Sequence, residues 1–295
     1  TNKLALASLK FEDYSRRTVK KDVVGVDMRT IDVGRVGVLI ALAWAVAAAQ
    51  AGPVLDRIAA GGKLVVAHRE SSIPFSYLDQ DKKPVGYAVD LCLKLADAVR
   101  KKTGAKNMQV EFLQVTPANR IAMIEQGNAD MECGSTTNNA DRRQKVAFTI
   151  AHFITGARML VRADSKIDRI EDLYGKKLVS TKGTTPLKAA EQANRERLLH
   201  ITILEAPDHA KAMEMLAGGH ADGFVMDDVL LASLAASSKD PSAYEISTEA
   251  LSKPEPYGIM LRKDDAPFKK VVDAATAAFY KSPESKTAYD KWFMK

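Results

Sequence analysis

Cysteine, charge of one sign and long hydrophobic runs are all scarce in this sequence. Cysteine occurs twice in 295 residues, at Cys92 and Cys133, without the spacing of a metal site. The formal charge is +6, but residues 1–51 hold 8 Lys+Arg against 5 Asp+Glu, leaving 35 against 32 for the rest. So mild a surplus argues against a nucleic-acid partner. The one conspicuous apolar run, residues 36–49, has 14 residues, fewer than the ~20 that cross a bilayer. No second run follows it, which excludes a sensor module carrying its own transmembrane segment.

What is present fits a soluble globular chain: 46% hydrophobic and 27% charged residues exclude a disordered or fibrous protein, and the length suffices for two lobes. Residues 1–27 are polar, mixed in charge and without a helix or strand period, and are expected to be an upstream extension outside the fold. Met28 is followed by Arg29, Arg35, the apolar run, and Ala49-Gln50-Ala51, which obeys the small-residue rule for cleavage. Residues 28–51 therefore read as a secretory signal peptide, and the mature chain is expected to start near Gly52. No cysteine follows the cleavage point, so a lipid anchor is not available and the periplasm is the expected compartment. In that oxidising space a disulfide is permitted. Cys92 lies in a helical pattern and Cys133 at a strand end, and the expectation is two separate buried thiols, with a bond as the alternative if their Cα atoms come within reach.

From Leu55 onward strands and helices alternate. GKLVVAHRE (62–70) reads as a β-branched strand entering a polar turn. GYAVDLCLKLADAVRKKTG (86–104) has helical spacing with Gly104 as its stop. MQVEFLQV (108–115) alternates as a strand, Thr116 and Pro117 are expected to start a helix, and Gly127 ends it before strand ADMEC (129–133). Alternation of this kind predicts a parallel α/β sheet. The unit recurs 92 positions on, where MLAGGHAD (215–222) repeats the layout of MIEQGNAD (123–130). Two α/β lobes on one plan are implied, with ligands expected beyond the carboxyl ends of the strands. The stretches 151–164 and 255–265 read as extended crossings between the lobes. They form a two-stranded hinge with Gly156 and Gly258 as soft points. The expected layout is 52–160 for the first part of lobe 1, 161–254 for lobe 2, and 255–295 for the return crossing and closing helices.

The chemistry concentrates in MECGSTTNNADRR (131–143). Ser135, Thr136 and Thr137 offer hydroxyls, Gly134 admits a ligand to the backbone, and Arg142 or Arg143 offers a planar fork suited to a carboxylate. The rival reading is a Ser/Thr/Asn turn capping a helix whose first turn carries arginine.

AHRESSIPFSY (67–77), PVGYAVDL (84–91), ECGSTTNNADRR (132–143), STKGTT (180–185), PDHAKA (207–212), FVMDDVLLA (224–232) and YGIMLRKDD (257–265) carry a family resemblance. In this order they resemble the glutamate/aspartate-binding branch of the family 3 solute-binding proteins of amino-acid ABC transporters, from about Leu55 to Phe293. The resemblance implies a type II periplasmic binding fold, two α/β lobes closing on one amino acid, no cofactor and no catalytic role. It also implies L-glutamate or L-aspartate as ligand, the membrane permease subunits of an ABC transporter as partners, and a monomer. Residue by residue, it assigns Arg142 and Thr137 to the ligand α-carboxylate and Ser135 and Asp227 to the α-ammonium. Arg69, Arg120, Thr185 and His209 fall to the side-chain carboxylate. Two anions and one cation ask for two cationic clusters and one carboxylate in a dry cleft, which matches this division. Thr185 sits where KGTTP opens a helix, a site of backbone donors. Pro117 departs from the pattern, since relatives have a hydroxyl residue before the arginine of that loop. Taken singly, Arg69 and Arg120 read equally as surface arginines, His209 as a helix-start residue and Asp227 as a cap. The competing class is a cyclic-acid dehydratase-like enzyme on the same scaffold, with Glu70 or Glu132 as its acid.

Overall fold

A computed structural model describes residues 53–294; the expected extension 1–27 and signal peptide 28–51 lie outside the described residues. Among those residues no helix is long and apolar enough to cross a membrane.

The first lobe opens with α1 (Pro53–Ala59) and β1 (Leu64–His68), followed by a small three-stranded sheet of β2 (Ser71–Ser72), β3 (Ser76–Leu78) and β4 (Pro84–Val85). Helix α2 (Tyr87–Thr103) ends as expected at Gly104, which adopts the left-handed conformation with φ 70°. Strand β5 (Val110–Gln114), helix α3 (Arg120–Glu125), strand β6 (Met131–Glu132) and the one-turn helix α4 (Ala140–Arg143) complete the run to β7 (Val146–Phe148). Helix α3 begins three residues later than Thr116–Pro117 predicts. Thr116 N donates to Asn119 Oδ1 at 2.8 Å and Asn119 N to Thr116 Oγ1 at 3.3 Å. That reciprocal turn delays the helix, so that Arg120 is its first residue.

The chain crosses by β8 (Phe153–Thr155) into the second lobe: β9 (Ala157–Arg162), β10 (Lys177–Thr181), α5 (Thr185–Glu196), β11 (Thr202–Ala206), α6 (His209–Ala217), β12 (Gly223–Asp227), α7 (Asp228–Ala236) and β13 (Tyr244–Ile246). It returns by β14 (Glu255–Tyr257) to β15 (Met260–Arg262), and closes with α8 (Ala266–Lys281) and α9 (Pro283–Phe293).

Each lobe holds a five-stranded sheet, in orders β5-β1-β6-β15-β7 and β11-β10-β12-β9-β13. The sheets are mixed rather than parallel throughout. The trios β5-β1-β6 and β11-β10-β12 are parallel, whereas β15 and β9 run antiparallel to their neighbours. The antiparallel strands are the ones that follow the two crossings, so they enter each sheet from the opposite end. Two mixed sheets joined by two crossings make the type II periplasmic binding fold that the resemblance implies.

The 92-residue repeat is a repeat of hydrogen bonding. Asp130 N donates to Val65 O and Val65 N to Asp130 Oδ2, both at 2.8 Å. In the second lobe Asp222 N donates to Lys177 O at 2.8 Å and Lys177 N to Asp222 Oδ2 at 2.9 Å. Gly127 and Gly219 make the preceding turns with φ 75° and 71°, a conformation that glycine adopts without steric cost. Separate apolar clusters stabilise the two sheets, one around Ala67, Ile124 and Met260, the other around Met159, Leu178 and Val225.

The two sheets communicate through the ribbon of β8 and β14, paired from Thr155–Glu255 to Phe153–Tyr257. Rings fasten one end of it. Phe75 contacts Phe153 at 5.0 Å and Tyr257 at 5.2 Å, and Phe293 of α9 stacks on Phe153 at 5.0 Å. Gly258 is therefore no soft point: its amide donates to Thr136 O and a Cβ there would press on Phe148. Gly156 has open space, with nothing nearer than 3.8 Å to such a Cβ.

Cys92 and Cys133 form a disulfide, with Cα atoms 6.3 Å apart, which overturns the expectation of two free thiols. Helix α2 packs on β1 beside β6, and this brings Cys92 onto the residue that follows β6.

Candidate functional site

All eight residues singled out in the sequence sit at the carboxyl ends of the parallel strands or on the turns that follow them. From the first lobe come Arg69 directly after β1, Arg120 at the start of α3, Ser135 and Thr137 in the turn after β6, and Arg142 in α4. From the second come Thr185 and His209, the first residues of α5 and α6, and Asp227, the last residue of β12. Arg120, Ser135 and Thr137 line one side of a small cavity of about 10 Å³, and Thr185, His209 and Asp227 line the other. Arg69 and Arg142 stand beside it. Arg69 Nη2 is 3.5 Å from His209 Nε2. Arg142 Nη1 donates to Thr137 O at 2.8 Å and its Nη2 to Gly183 O at 3.3 Å, so it already ties the two lobes.

The local sequence explains the placement. Asn139 caps α4 by accepting from Arg142 N at 2.9 Å, which turns Arg142 inward, while Arg143 stays exposed on Asn138 Oδ1. The capping and ligand readings of this loop thus hold together. Thr184, not Thr185, caps α5, accepting from Leu187 N, and this leaves the Thr185 hydroxyl for the cavity side. Thr136 turns away and donates to Glu132 Oε2 at 2.8 Å. Gly134 serves that carboxylate rather than a ligand, since a Cβ on it would lie 2.4 Å from Glu132 Oε1.

Arg69 and Arg120 are 1% and 2% exposed, against the surface reading. Arg69 Nε and Nη1, Arg120 Nε, Ser135 Oγ and Asp227 Oδ1 are buried and have no partner within the protein. Buried polar groups are normally satisfied, so five such atoms gathered here make this cleft the candidate ligand site. Burial, followed by the charge of Arg120, lowers Arg69 to about 9 and Arg142 to about 10. Burial also lowers Arg120, against the opposing pull of Glu132. Guanidinium does not give up its proton in proteins, so the shifts express a demand for anions. Burial and the neighbouring Arg69 and Arg120 hold His209 well below its ordinary value, hence neutral. Its Nδ1 lies 2.8 Å from Thr181 Oγ1, which orients the ring with Nε2 toward Arg69. Asp227 is pushed up to about 7 by burial, against the pull of the hydrogen bond from Tyr257.

Glu132, considered from the sequence only as an enzyme's acid, is buried behind Arg69 and Arg120 as their counter-charge. Three residues escaped the sequence reading: Tyr257, which donates to Asp227 Oδ2; Gly183; and Glu255. A Cβ on Gly183 would lie 2.8 Å from Ala118 Cα and from Pro117 O. Pro117 therefore meets the opposite lobe as backbone, at a point where only glycine fits. Glu255 Oε2 accepts from Thr185 Oγ1 at 2.7 Å and Thr137 Oγ1 at 3.3 Å. Of the two carboxylates considered for an enzyme, Glu70 accepts from Gln114 on the exposed side and Glu132 lies behind the arginines; neither lines the cavity.

Residues 64–295 match the model of the bacterial extracellular solute-binding proteins, family 3. The chain belongs to this family. It is 42% identical to the glutamate/aspartate import solute-binding protein of Escherichia coli K12 over 247 residues, 84% of this chain and 82% of that protein. The L-glutamate/L-aspartate-binding protein of Pseudomonas aeruginosa is 40% identical over 240 residues, 81% of this chain and 79% of its own. Among solved structures, a mutant of ArgBP from T. maritima superposes with a TM-score of 0.72 at 25% identity, covering 82% of this chain and 99% of that one. The ancestral amino acid-binding protein AncCDT-1, described as a precursor of cyclohexadienyl dehydratase, follows with a TM-score of 0.68 at 29% identity over 81% of this chain and 99% of its own.

Proposed function

We propose that this family member is a periplasmic receptor for L-glutamate or L-aspartate that closes its lobes on the ligand and delivers it, as a monomer, to the permease subunits of an ABC importer. The observation that carries the reading is a buried cleft with three arginines, lined by the carboxylate of Asp227, whose Oδ1 has no partner within the protein. A ligand with two carboxylates and one ammonium is the complement of that set. Arg142 and Thr137 take the α-carboxylate, Asp227 and Ser135 the ammonium, and Arg69, Arg120, Thr185 and His209 the side-chain carboxylate. The relatives named for glutamate and aspartate support the ligand class. Secretion through residues 28–51 accords with an extracellular family. The lobes divide, in this reading, into 52–155 with 255–295, and 156–254; the boundary expected at 160 would cut β9, which lies whole in the second sheet.

No cofactor and no catalytic step are part of the proposal. The kinship to a dehydratase precursor favours an enzyme only by analogy of fold, and neither Glu70 nor Glu132 reaches the cavity to protonate a leaving group.

Calorimetric titration with a panel of amino acids tests the ligand class; equal affinity for glutamine or lysine would defeat the acidic assignment. Two variants test the division of labour. Arg142→Ala should weaken every amino acid together, by several kcal/mol, roughly the 2–5 that follow removal of one partner from a buried charge pair. Arg69→Met should penalise glutamate while sparing or improving glutamine. Equal shifts of both ligands by both variants would overturn the assignment of the arginines.

A further inference from the structure

Glu255 stands where the two lobes and the hinge meet. It belongs to β14, one strand of the ribbon, and its Oε2 gathers a hydroxyl from each side: Thr185 Oγ1 of the second lobe at 2.7 Å and Thr137 Oγ1 of the first at 3.3 Å. The two hydroxyls are themselves 3.2 Å apart. Each carries one proton. Thr185 spends its proton on Glu255, and Thr137 spends its own on Glu255 or on the Thr185 oxygen. Both residues therefore turn lone pairs toward the cavity, and a ligand carboxylate, which only accepts, has nothing to bond with there. The carboxylate of Glu255 also faces Arg142 and Asp227 electrostatically, offsetting part of the cationic field that attracts an anion.

We propose that Glu255 is an internal competitor for the ligand carboxylates. It holds the protons of Thr137 and Thr185, and ligand entry requires that they swing from Glu255 to the incoming anion. As the ligand leaves, Glu255 takes them back. The device tempers affinity and eases release, which a receptor that must surrender its cargo requires. The inference rests on the assignment of Thr137 and Thr185 to an acidic amino acid.

A neutral acceptor is weaker than a charged one, so a glutamine side chain competes poorly with Glu255 and has less to gain from its removal. Glu255→Ala frees both protons and removes a negative charge. It should tighten glutamate by about tenfold, the scale of one charge-assisted hydrogen bond, and glutamine by less. Glu255→Gln keeps the shape, removes the charge and should move both ligands in the same directions. Coupling gives the decisive readout. In a double-mutant cycle by calorimetry, Thr185→Val should cost glutamate more in the Glu255→Ala background than in the wild type, because only there is the Thr185 proton free for the ligand. Additive effects, or a loss of affinity common to glutamate and glutamine in both Glu255 variants, would overturn the proposal and make Glu255 a structural or ammonium-binding residue. Failure of the wild type to bind any acidic amino acid would instead bring down the functional reading, and the competitor with it.

Discussion

Asp227 carries the most exposed piece of site chemistry at the scale of single residues. Its ordinary value is 3.8 and burial raises it to about 7. A carboxyl raised on folding stabilises the fold only in its protonated form. As pH climbs from about 4 to about 7, the unfolded chain ionises first and that contribution is lost. An ammonium seated against Asp227 reverses the preference by favouring the carboxylate. Binding below pH 7 should then release a proton, and affinity should rise by up to about tenfold per pH unit between roughly pH 5 and 7. Titration of glutamate at pH 6, in two buffers of different ionisation enthalpy, counts that proton directly. Asp227→Asn should abolish the release; a wild-type count of zero would remove Asp227 from the ammonium site. The eight candidates that converge at the cleft could be singled out in the sequence because each lies in a short motif where charge or hydroxyl is set near a strand end. Glu255 and Tyr257, and the counter-charge role of Glu132, were not legible, because each acts on a partner that is distant in sequence and adjacent only after folding. An acid and a tyrosine in an extended crossing look like surface residues until β14 places them against Thr185 and Asp227.

Among the elements, the repeat was readable and its reason is physical. Gly127 and Gly219 stop a helix in the left-handed conformation, and Asp130 and Asp222 close the start of the next strand on the neighbouring one, so one local sequence specifies one local structure twice. Long-range geometry was not readable. Nothing in the spacing of Cys92 and Cys133 indicates that α2 lies against the end of β6, and the bland reading of two thiols was wrong for that reason. The mixed character of the sheets escaped as well, because the direction of β9 and β15 depends on how the chain crosses between lobes. The disulfide spans a separation of 41 residues. Loop-closure entropy for that length gives about 4 kcal/mol of stabilisation, and engineered and natural bridges commonly deliver about 2–4. Cys92→Ser with Cys133→Ser should lower the urea midpoint accordingly and raise the slope, because the unfolded chain without its cross-link exposes more surface. A midpoint shift equivalent to less than about 0.5 kcal/mol would mean that the loop is constrained already in the unfolded chain.

For the whole molecule, the question is where the lobes turn and what limits their approach. The ring cluster around Phe75 fastens Phe153 and Tyr257 to the first lobe, so bending is directed to the other end of the ribbon, at Thr155, Gly156 and Glu255. The lobes meet where Pro117 and Ala118 rest on Gly183, and where Ala210 N donates to Ser71 Oγ at 3.3 Å. Closure on a ligand should shrink the molecule, and small-angle scattering should record a smaller radius of gyration with glutamate. Ligand at about a hundred times its dissociation constant should also add ~2.7 kcal/mol to stability. Gly183 is the stop of this movement. Its φ is 80°, and the atoms that a Cβ would strike are backbone of the opposite lobe, which cannot swing aside as a side chain does. Gly183→Ala should therefore leave both sheets folded but hold the cleft ajar. Glutamate should bind more weakly and the scattering change should be smaller than in the wild type. A Gly183→Ala protein that contracts on glutamate as fully as the wild type would show that the Pro117 loop yields, and that closure is limited elsewhere.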